Sequence, residues 1–447
     1  MLIKDAIINI SLTGKKLPQS EYLTEGQYPV VDQGKTLIGG YTDKNENIIK
    51  NILPVIVFGD HTKVIKYIDF NFVAGADGIK VLKSKYWLNP KLFYYYLRAI
   101  RLPDKGYARH FQFLLKANIP IPPLPEQKRI VKKLEELFKE LDEGVETLKK
   151  MQEQLKQYRQ SVLKHAFEGK LTENWRKKNK PEPASVLLEK IKEERKKKDK
   201  NYKELPPIDI TTLPKLPTDW EWTRVGDIFN IETGSTPSTN NIEYWENGNI
   251  YWVTPKDLSY LKNPFISNTE RKITQKGLKN CSTKIVPKNS IIISTRAPIG
   301  YIAILASEMC FNQGCKALVS NNNKLTPMLY YYYLLTTKVI EMNGLGSGST
   351  FKEISKNSLS GICLPITSIS EQQQIVKEIE SRFAMADELE KTIEQSLEQA
   401  DTLRQSILKS AFEGKLVPQD PNDESAEILL ERIKKEKNHG DSSLRSE

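Results

Sequence analysis

Two short segments hold residue types that could cut DNA. Glu168-Gly-Lys170 and Glu413-Gly-Lys415 present the acid-x-Lys half of a nuclease motif. Such a site also needs an aspartate on a neighbouring strand to share the metal, and no matching one is found. Both segments stand where a long helix must stop, so the glycines also read as left-handed helix caps. There is no Walker loop and no Rossmann glycine fingerprint. The four cysteines, at 281, 310, 315 and 363, form no Cys-x-x-Cys pair, and the four histidines are scattered. They read as buried reduced thiols and not as a metal site. No Ser/His/Asp or Cys/His set is present in both halves of the chain, so the chain by itself is expected to carry no active site.

Other residues suit binding. Arginine reads guanine edges, lysine and Ser/Thr hold phosphates, and glycine admits close backbone approach. One group follows presumptive strands: Ser294-Thr-Arg296-Ala-Pro-Ile-Gly300 and, earlier, Gly59-Asp-His61-Thr-Lys63. Thr254-Pro-Lys256-Asp257 ends a third strand. Gly344-Leu-Gly-Ser-Gly-Ser349-Thr350 is a polar loop leading to Lys352, and Gly106-Tyr-Ala-Arg109-His110-Phe-Gln112 takes its place earlier. Lys80 and Lys316 follow matching Gly78-Ile and Gly314-Cys steps. Each could equally be an ordinary solvated loop residue. The tyrosine runs 94–96 and 330–333 could stack on bases, but at helical spacing most must face a core.

The elements that position these residues come in duplicate. Arg159-Gln-Ser-Val-Leu-Lys-His-Ala-Phe-Glu-Gly-Lys-Leu171 recurs 245 residues later as Arg404-Gln-Ser-Ile-Leu-Lys-Ser-Ala-Phe-Glu-Gly-Lys-Leu416, with eleven of thirteen positions identical. The same offset maps Glu126-Gln127 onto Glu371-Gln372. Weaker matches keep their order: 90–97 with 327–334, Ile3-Lys4-Asp5 with Val225-Gly226-Asp227, and 187–192 with 429–434. Each copy is a globular block, a long helix and a short charged helix. From Ile130 to Ala166, and from Ile375 to Ala411, apolar residues recur every 3.6 residues on average. That predicts two amphipathic helices, each about 65 Å long, with a single sticky stripe that the other copy can cover. The blocks carry strand signals at 54–58, 249–253 and 290–294, and short helices at 92–100 and 328–339. They are mixed α/β domains. A charged helix from Ala184 to about Lys200 and a linker with prolines 206, 207, 214 and 217 connect the copies. The charged helix precedes block two, so its C-terminal copy is expected beside block one.

The net charge is +11. Residues 1–120 hold 17 basic against 10 acidic residues and 220–365 hold 15 against 10, whereas the long-helix segments 126–172 and 371–416 hold 11 against 9 and 6 against 10. The basic excess on the blocks suggests a phosphate-bearing partner. No apolar run approaches the ~18 residues of a membrane span and the start does not read as a signal peptide, so a cytoplasmic protein is expected.

The Pro123-x-x-Glu126-Gln127 start, the repeated helix ending and the opening Leu216-Pro-x-x-Trp220-x-Trp222 together resemble the specificity subunit of type I restriction-modification enzymes. The first block lacks that opening. The resemblance implies an α+β protein with two target recognition domains (1–125 and 220–370) separated by two long antiparallel coiled-coil helices (126–170 and 371–416) in a pseudo-two-fold repeat. The segment 171–219 is then the charged helix and linker, and 417–447 the charged tail. DNA contacts are expected from Arg296, Lys316, Lys352, Ser349, Thr350, Lys256 and Thr254 in one domain, and from Arg109, His110, Gln112, His61, Lys63 and Lys80 in the other. Glu126, Gln127, Arg159, Gln160 and Phe167, with Glu371, Gln372, Arg404, Gln405 and Phe412, are expected to dock a methyltransferase subunit in two copies. The implied partners also include double-stranded DNA and an endonuclease/translocase subunit. S-adenosylmethionine, ATP and Mg are implied on those partners and no cofactor in this chain. The alternatives are an enzyme fused to its own reader, which would need a catalytic motif, and a two-headed DNA-binding regulator that acts alone.

Overall fold

The computed structural model describes residues 1–443 except 76, 77, 104, 105, 107, 199–201, 203, 297 and 348–351. The chain divides into two compact units, Met1–Lys150 with Ile393–Glu447, and Met151–Thr392.

In the first unit an antiparallel sheet has the order Ile7–Ile10, Ile79–Ser84, Val55–Gly59, Ile65–Ile68. Val55–Gly59 is buried at all five positions, as its unbroken apolar run requires of a central strand. A second, five-stranded sheet of shorter strands centres on Phe72–Gly75, which pairs parallel to both Lys16–Leu17 and Tyr28–Val31. The tyrosine helix Pro90–Ala99 starts at Asn89, whose side chain accepts from the amides of Lys91 and Leu92. Its Tyr95 and Tyr96 are buried, so the run is core, not a stacking platform. The first half of the long helix Leu124–Phe167 packs on this core through Ile130, Val131, Leu134 and Phe138. Leu408 and Ala411 of the second long helix, Ile369–Phe412, are buried in the same core.

The tail joins the same unit. Leu429 and Ile433 are buried in its core, Asp423 pairs with Arg129 at 2.7 Å, and Glu436 accepts from the Tyr86 hydroxyl at 2.6 Å. Truncating a side chain buried like Leu429 costs about 2–5 kcal/mol, so the tail is an integral part of this unit.

The second unit repeats the plan. Its main sheet runs Phe229–Thr233, Cys315–Ser320, Ile291–Ser294, Ile302–Leu305, with Phe265–Ile266 added in parallel. The tyrosine helix is Met328–Thr337, with Tyr330 and Tyr331 fully buried. The charged helix Ala184–Lys198 buries Ala184, Leu187 and Ile191 in this core, as Leu429 and Ile433 do in the other. A ladder joins Glu221–Arg224 to Cys363–Ile366, and a short helix, Glu173–Asn179, precedes the charged helix within the segment 171–219.

Within each unit the two long helices pack antiparallel. In the first, Arg404 pairs with Asp142 and stacks 4.8 Å over Phe138. In the second, Arg159 pairs with Asp387 at 2.7 Å and stacks 5.5 Å over Phe383. These are the same three residues at the offset of 245, so the repeat clasps itself twice. The apolar stripe does not stay buried throughout. Met151, Tyr158, Leu389 and Leu403 are exposed by 39–55%. The exposed members lie along the middle of each helix, whereas both ends are buried against a globular core, at Ile130 and Leu134 and at Val162 and Ala166 in the first helix. Gly169 and Gly414 have φ of +71° and +72°, the left-handed caps that end the helices.

Candidate nucleic-acid interface

Each recognition block has a junction where the central strand of the main sheet ends beside a glycine turn. In the second unit the amides of Thr295 and Arg296 donate to the Gly314 carbonyl at 2.8 and 3.3 Å. The amide of Ile354 donates to the Thr295 carbonyl at 2.9 Å. In the first unit the amide of Asp60 donates to the Gly78 carbonyl at 2.6 Å, and the amide of His110 donates to the Asp60 carbonyl at 2.8 Å. Segments some 20 and 50 to 60 residues distant thus meet at equivalent places in both blocks.

The junction of the second block gathers three charges. Arg296 extends from the strand end with its side chain 45% exposed, and its Nη2 forms an ion pair with Glu353 at 3.1 Å. Lys316 is buried, 3.3 Å from the other Glu353 oxygen and 3.1 Å from the Thr295 hydroxyl. Lys316 therefore anchors Glu353, and direct DNA contact by its ammonium is corrected to a supporting role. Thr254 is also turned inward. Its hydroxyl caps the helix Pro255–Ser259 in a reciprocal pair with Asp257. Lys256 is exposed and pairs with Glu270 at 2.8 Å, a contact worth little in water. Lys352 is exposed. Ser349 and Thr350 lie outside the described residues.

In the first block, His110 is fully buried and its Nδ1 lies 3.1 Å from the Asp60 carbonyl, so it is a structural histidine. A DNA contact by its ring is corrected accordingly. Lys80 places its ammonium 5.4 Å over the ring of Phe111. Arg109 and Gln112 are exposed, the Gln112 amide donating to the Arg109 carbonyl. His61 and Lys63 are half-buried in the tight turn after the strand, where Lys63 takes a φ of +60°.

Sequence reasoning missed three features. Glu353 has no local signal, because its partners lie 57 and 37 residues away. An open hollow of about 570 Å³ is lined by Asn9, Ser11, Thr13, Lys16 and Lys80 among others, beside the first strand. Arg271 is stacked 3.6 Å over Trp245. The Ser/Thr-rich loop after the first strand was a legible signal for the hollow.

The long-helix residues expected to face a partner mostly face inward. Gln127 is buried, donating to the Trp87 and Pro122 carbonyls and accepting from the Asn89 amide. Gln372 is buried and donates to the Thr367 carbonyl. Phe167 and Phe412 pack on Tyr330 and Tyr96 of their own units. Arg159 and Arg404 clasp the helices. Of the expected docking residues, Gln160 and Gln405 are exposed, together with the identical Ser161 and Ser406 and Lys164 and Lys409. Glu371, Gln127 and Gln372 thus bond within their own chain, Arg159 and Arg404 are half-buried between the paired helices, and Phe167 and Phe412 pack on their own cores.

The repeated glutamates differ in their surroundings. Glu371 is fully buried and accepts from Thr172, Arg176, Trp220 and Thr367 at 2.7–3.0 Å. At the offset of 245 Thr172, Arg176 and Thr367 become Val417, Pro421 and Pro122, which have no side-chain donors. Burial holds the Glu126 carboxyl above the ordinary carboxylate range, with Arg129 drawing it down and Asp423 adding to the rise. A raised folded-state value means that this carboxyl contributes stability when protonated, at pH below its unfolded range near ~4.3, and loses it as pH rises through the folded value. Glu126→Gln is therefore expected to raise the thermal stability of the first unit modestly at pH 7.5 and to confer no gain near pH 4. Melting curves at the two pH values check this, and a loss of stability at pH 7.5 contradicts it.

Among the described residues no group of three His, Cys, Asp or Glu could hold a metal, and no helix is long and apolar enough to cross a membrane. Cys310 and Cys315 are buried, the Cys310 thiol pushed up to about 12 by burial, while Cys281 and Cys363 are only half-buried.

Comparison with known proteins agrees with this construction. The profile described as the type I restriction modification DNA specificity domain matches residues 4–155 and 217–399. The type I restriction enzyme EcoR124I/EcoR124II specificity subunit of Escherichia coli is 28% identical over 391 residues, 84% of this chain and 83% of that one. The MjaIX specificity subunit of Methanocaldococcus jannaschii is 38% identical over 165 residues, 37% of this chain and 38% of that one. The fold is similar to that of the HsdS subunit from Thermoanaerobacter tengcongensis (TM-score 0.52, 18% identity, 93% of this chain and 96% of that one). It is also similar to a chain solved in a study of assembly and conformational transition of the type I R-M system (TM-score 0.62, 19% identity, 92% and 98%). With both blocks and most of both long helices matched, the chain belongs to the family of type I restriction-modification DNA specificity subunits, whose part is to recognise sequence and not to catalyse.

Proposed function

We propose that the chain reads a bipartite, asymmetric DNA target, one half with each recognition domain, and presents its paired helices to two copies of a methyltransferase subunit. The observation that carries this reading is the contrast between the copies. The two helix pairs repeat the same arginine–phenylalanine–aspartate clasp, whereas the strand-end junctions carry different side chains, Asp60 with Lys80 in one and Arg296, Lys316 and Glu353 in the other. Alike supports with unlike readers favour two different half-sites. Self-packing explains the buried identities of the helices but not the exposed ones, Gln160, Ser161 and Lys164 with Gln405, Ser406 and Lys409. A partner that docks the same way twice explains those. S-adenosylmethionine would be held by that partner, and ATP and Mg by an endonuclease/translocase subunit.

The test is expression with the methyltransferase partner in cells, followed by sequencing of methylated bases. Methylation is expected at a target whose two specified halves differ and are separated by unspecified bases. A contiguous or palindromic target, or a chain that binds DNA but recruits no methyltransferase, overturns the reading. The latter outcome would leave a stand-alone regulator.

A further inference from the structure

Arg296 is held at the strand end in a manner that differs from an ordinary surface cation. Its backbone bridges Glu353, and Glu353 in turn exchanges backbone hydrogen bonds with Ser347 at 3.0 and 3.1 Å. The carboxylate takes one guanidinium nitrogen on one oxygen and the buried Lys316 ammonium on the other. The Lys316 ammonium is itself fixed by the Thr295 hydroxyl. A guanidinium carries five donors. Among the described residues Glu353 is its one recorded side-chain partner, so donors remain for an outside acceptor.

Electrostatics says which acceptor. A carboxylate set between two cations weakens their pull on a phosphate. A group built only to hold the DNA backbone gains nothing from it. For a neutral pair of acceptors that cost is far smaller, and the ion pair still holds the guanidinium at the strand end. The O6 and N7 atoms of guanine in the major groove are such a pair. The first block offers a contrast at the same junction. There the acid is Asp60, whose carboxylate accepts from the Phe111 amide at 2.8 Å, and the lysine lies over an aromatic ring.

We infer that Arg296 reads a guanine in the half-site of the second recognition domain, with Glu353 as the residue that positions it and Lys316 as the anchor of Glu353. This rests on the two-half reading above.

The experiment uses the complex of the full chain with its methyltransferase and duplexes in which each specified base pair is varied in turn. Wild type is expected to require a G·C pair at one position of one half. Arg296→Ala is expected to reduce discrimination at that position by roughly 10- to 100-fold. It should leave every other position, and the whole other half, unchanged. Its salt slope should equal that of wild type, since loss of a phosphate contact would lower the slope by about one. Glu353→Gln keeps the shape of the side chain and is expected to relax the same position and no other. The double variant should be no more relaxed there than Arg296→Ala alone. A uniform loss of rate across all positions, a lowered salt slope, or relaxation at a position that is not G·C overturns the assignment. A bipartite wild-type target that Arg296→Ala leaves unchanged overturns the assignment alone, whereas a contiguous wild-type target overturns the two-half reading and the assignment with it.

Discussion

Glu371→Ala is expected to lower the melting temperature of the 151–392 unit by about 6–20 °C. The carboxylate is fully buried and satisfies four donors, from the start of the long helix (Thr367), the short helix and its cap (Arg176, Thr172), and the opening of the second block (Trp220). Alanine leaves Arg176, whose side chain is 14% exposed, without its counter-charge, and leaves the Trp220 indole N–H and two hydroxyls without acceptors. Breaking one partner of a buried ion pair costs about 3–5 kcal/mol. In a unit of this size each kcal/mol lowers the midpoint by roughly 2–4 °C. Glu371→Gln keeps one acceptor oxygen and the packing, so roughly half the loss is expected. Tryptophan fluorescence reports the event locally through Trp220, and hydrogen exchange at residues 369–375 reports the helix start. A loss below about 1 kcal/mol, or an equal loss from the alanine variant of Glu126, would show that the four donors do not depend on this carboxylate.

The second large effect concerns the target. The first long helix contributes Leu124–Lys150 to one unit and Met151–Phe167 to the other, and the second helix contributes Ile393–Phe412 and Ile369–Thr392. Four residues inserted near Gln152, matched by four at Thr392–Ile393, lengthen both helices by ~6 Å and leave both clasps in register. With base pairs spaced ~3.4 Å apart along the duplex, the preferred gap between the half-sites is expected to grow by one or two base pairs. The bases read in each half should not change. The insertion near Gln152 alone would set the Arg159–Asp387 and Arg404–Asp142 clasps against each other, and methylation should fall sharply. Methylated-base sequencing of all three forms decides the matter. A changed half-site, or a fixed gap in the paired insertion, would show that the helices do not set the spacing.

The sequence by itself determined whatever depends on local or periodic order. The repeat, both long helices with their left-handed glycine ends, the central strands and the tyrosine helices were legible. Each rests on a period of 3.6, an unbroken apolar run or a cap within a few residues. Placing the C-terminal charged helix beside the first block followed from the repeat, and the burial of Leu429 and Ile433 shows the packing. What only the tertiary structure decided is which way the polar members of those elements turn. Gln127 and Gln372 looked like partner-facing residues of an amphipathic helix start, and they satisfy buried backbone groups of their own chain. Arg159 looked like a docking arginine, and its ion-pair partners lie 228 and 231 residues away. Lys316 looked like a phosphate contact, and it is sealed beneath Glu353. Helical period and residue type state that a polar side chain sits on a given face. They carry no record of whether another part of the chain arrives there with a complementary charge, and at separations of tens to hundreds of residues that depends on the packing of the whole unit.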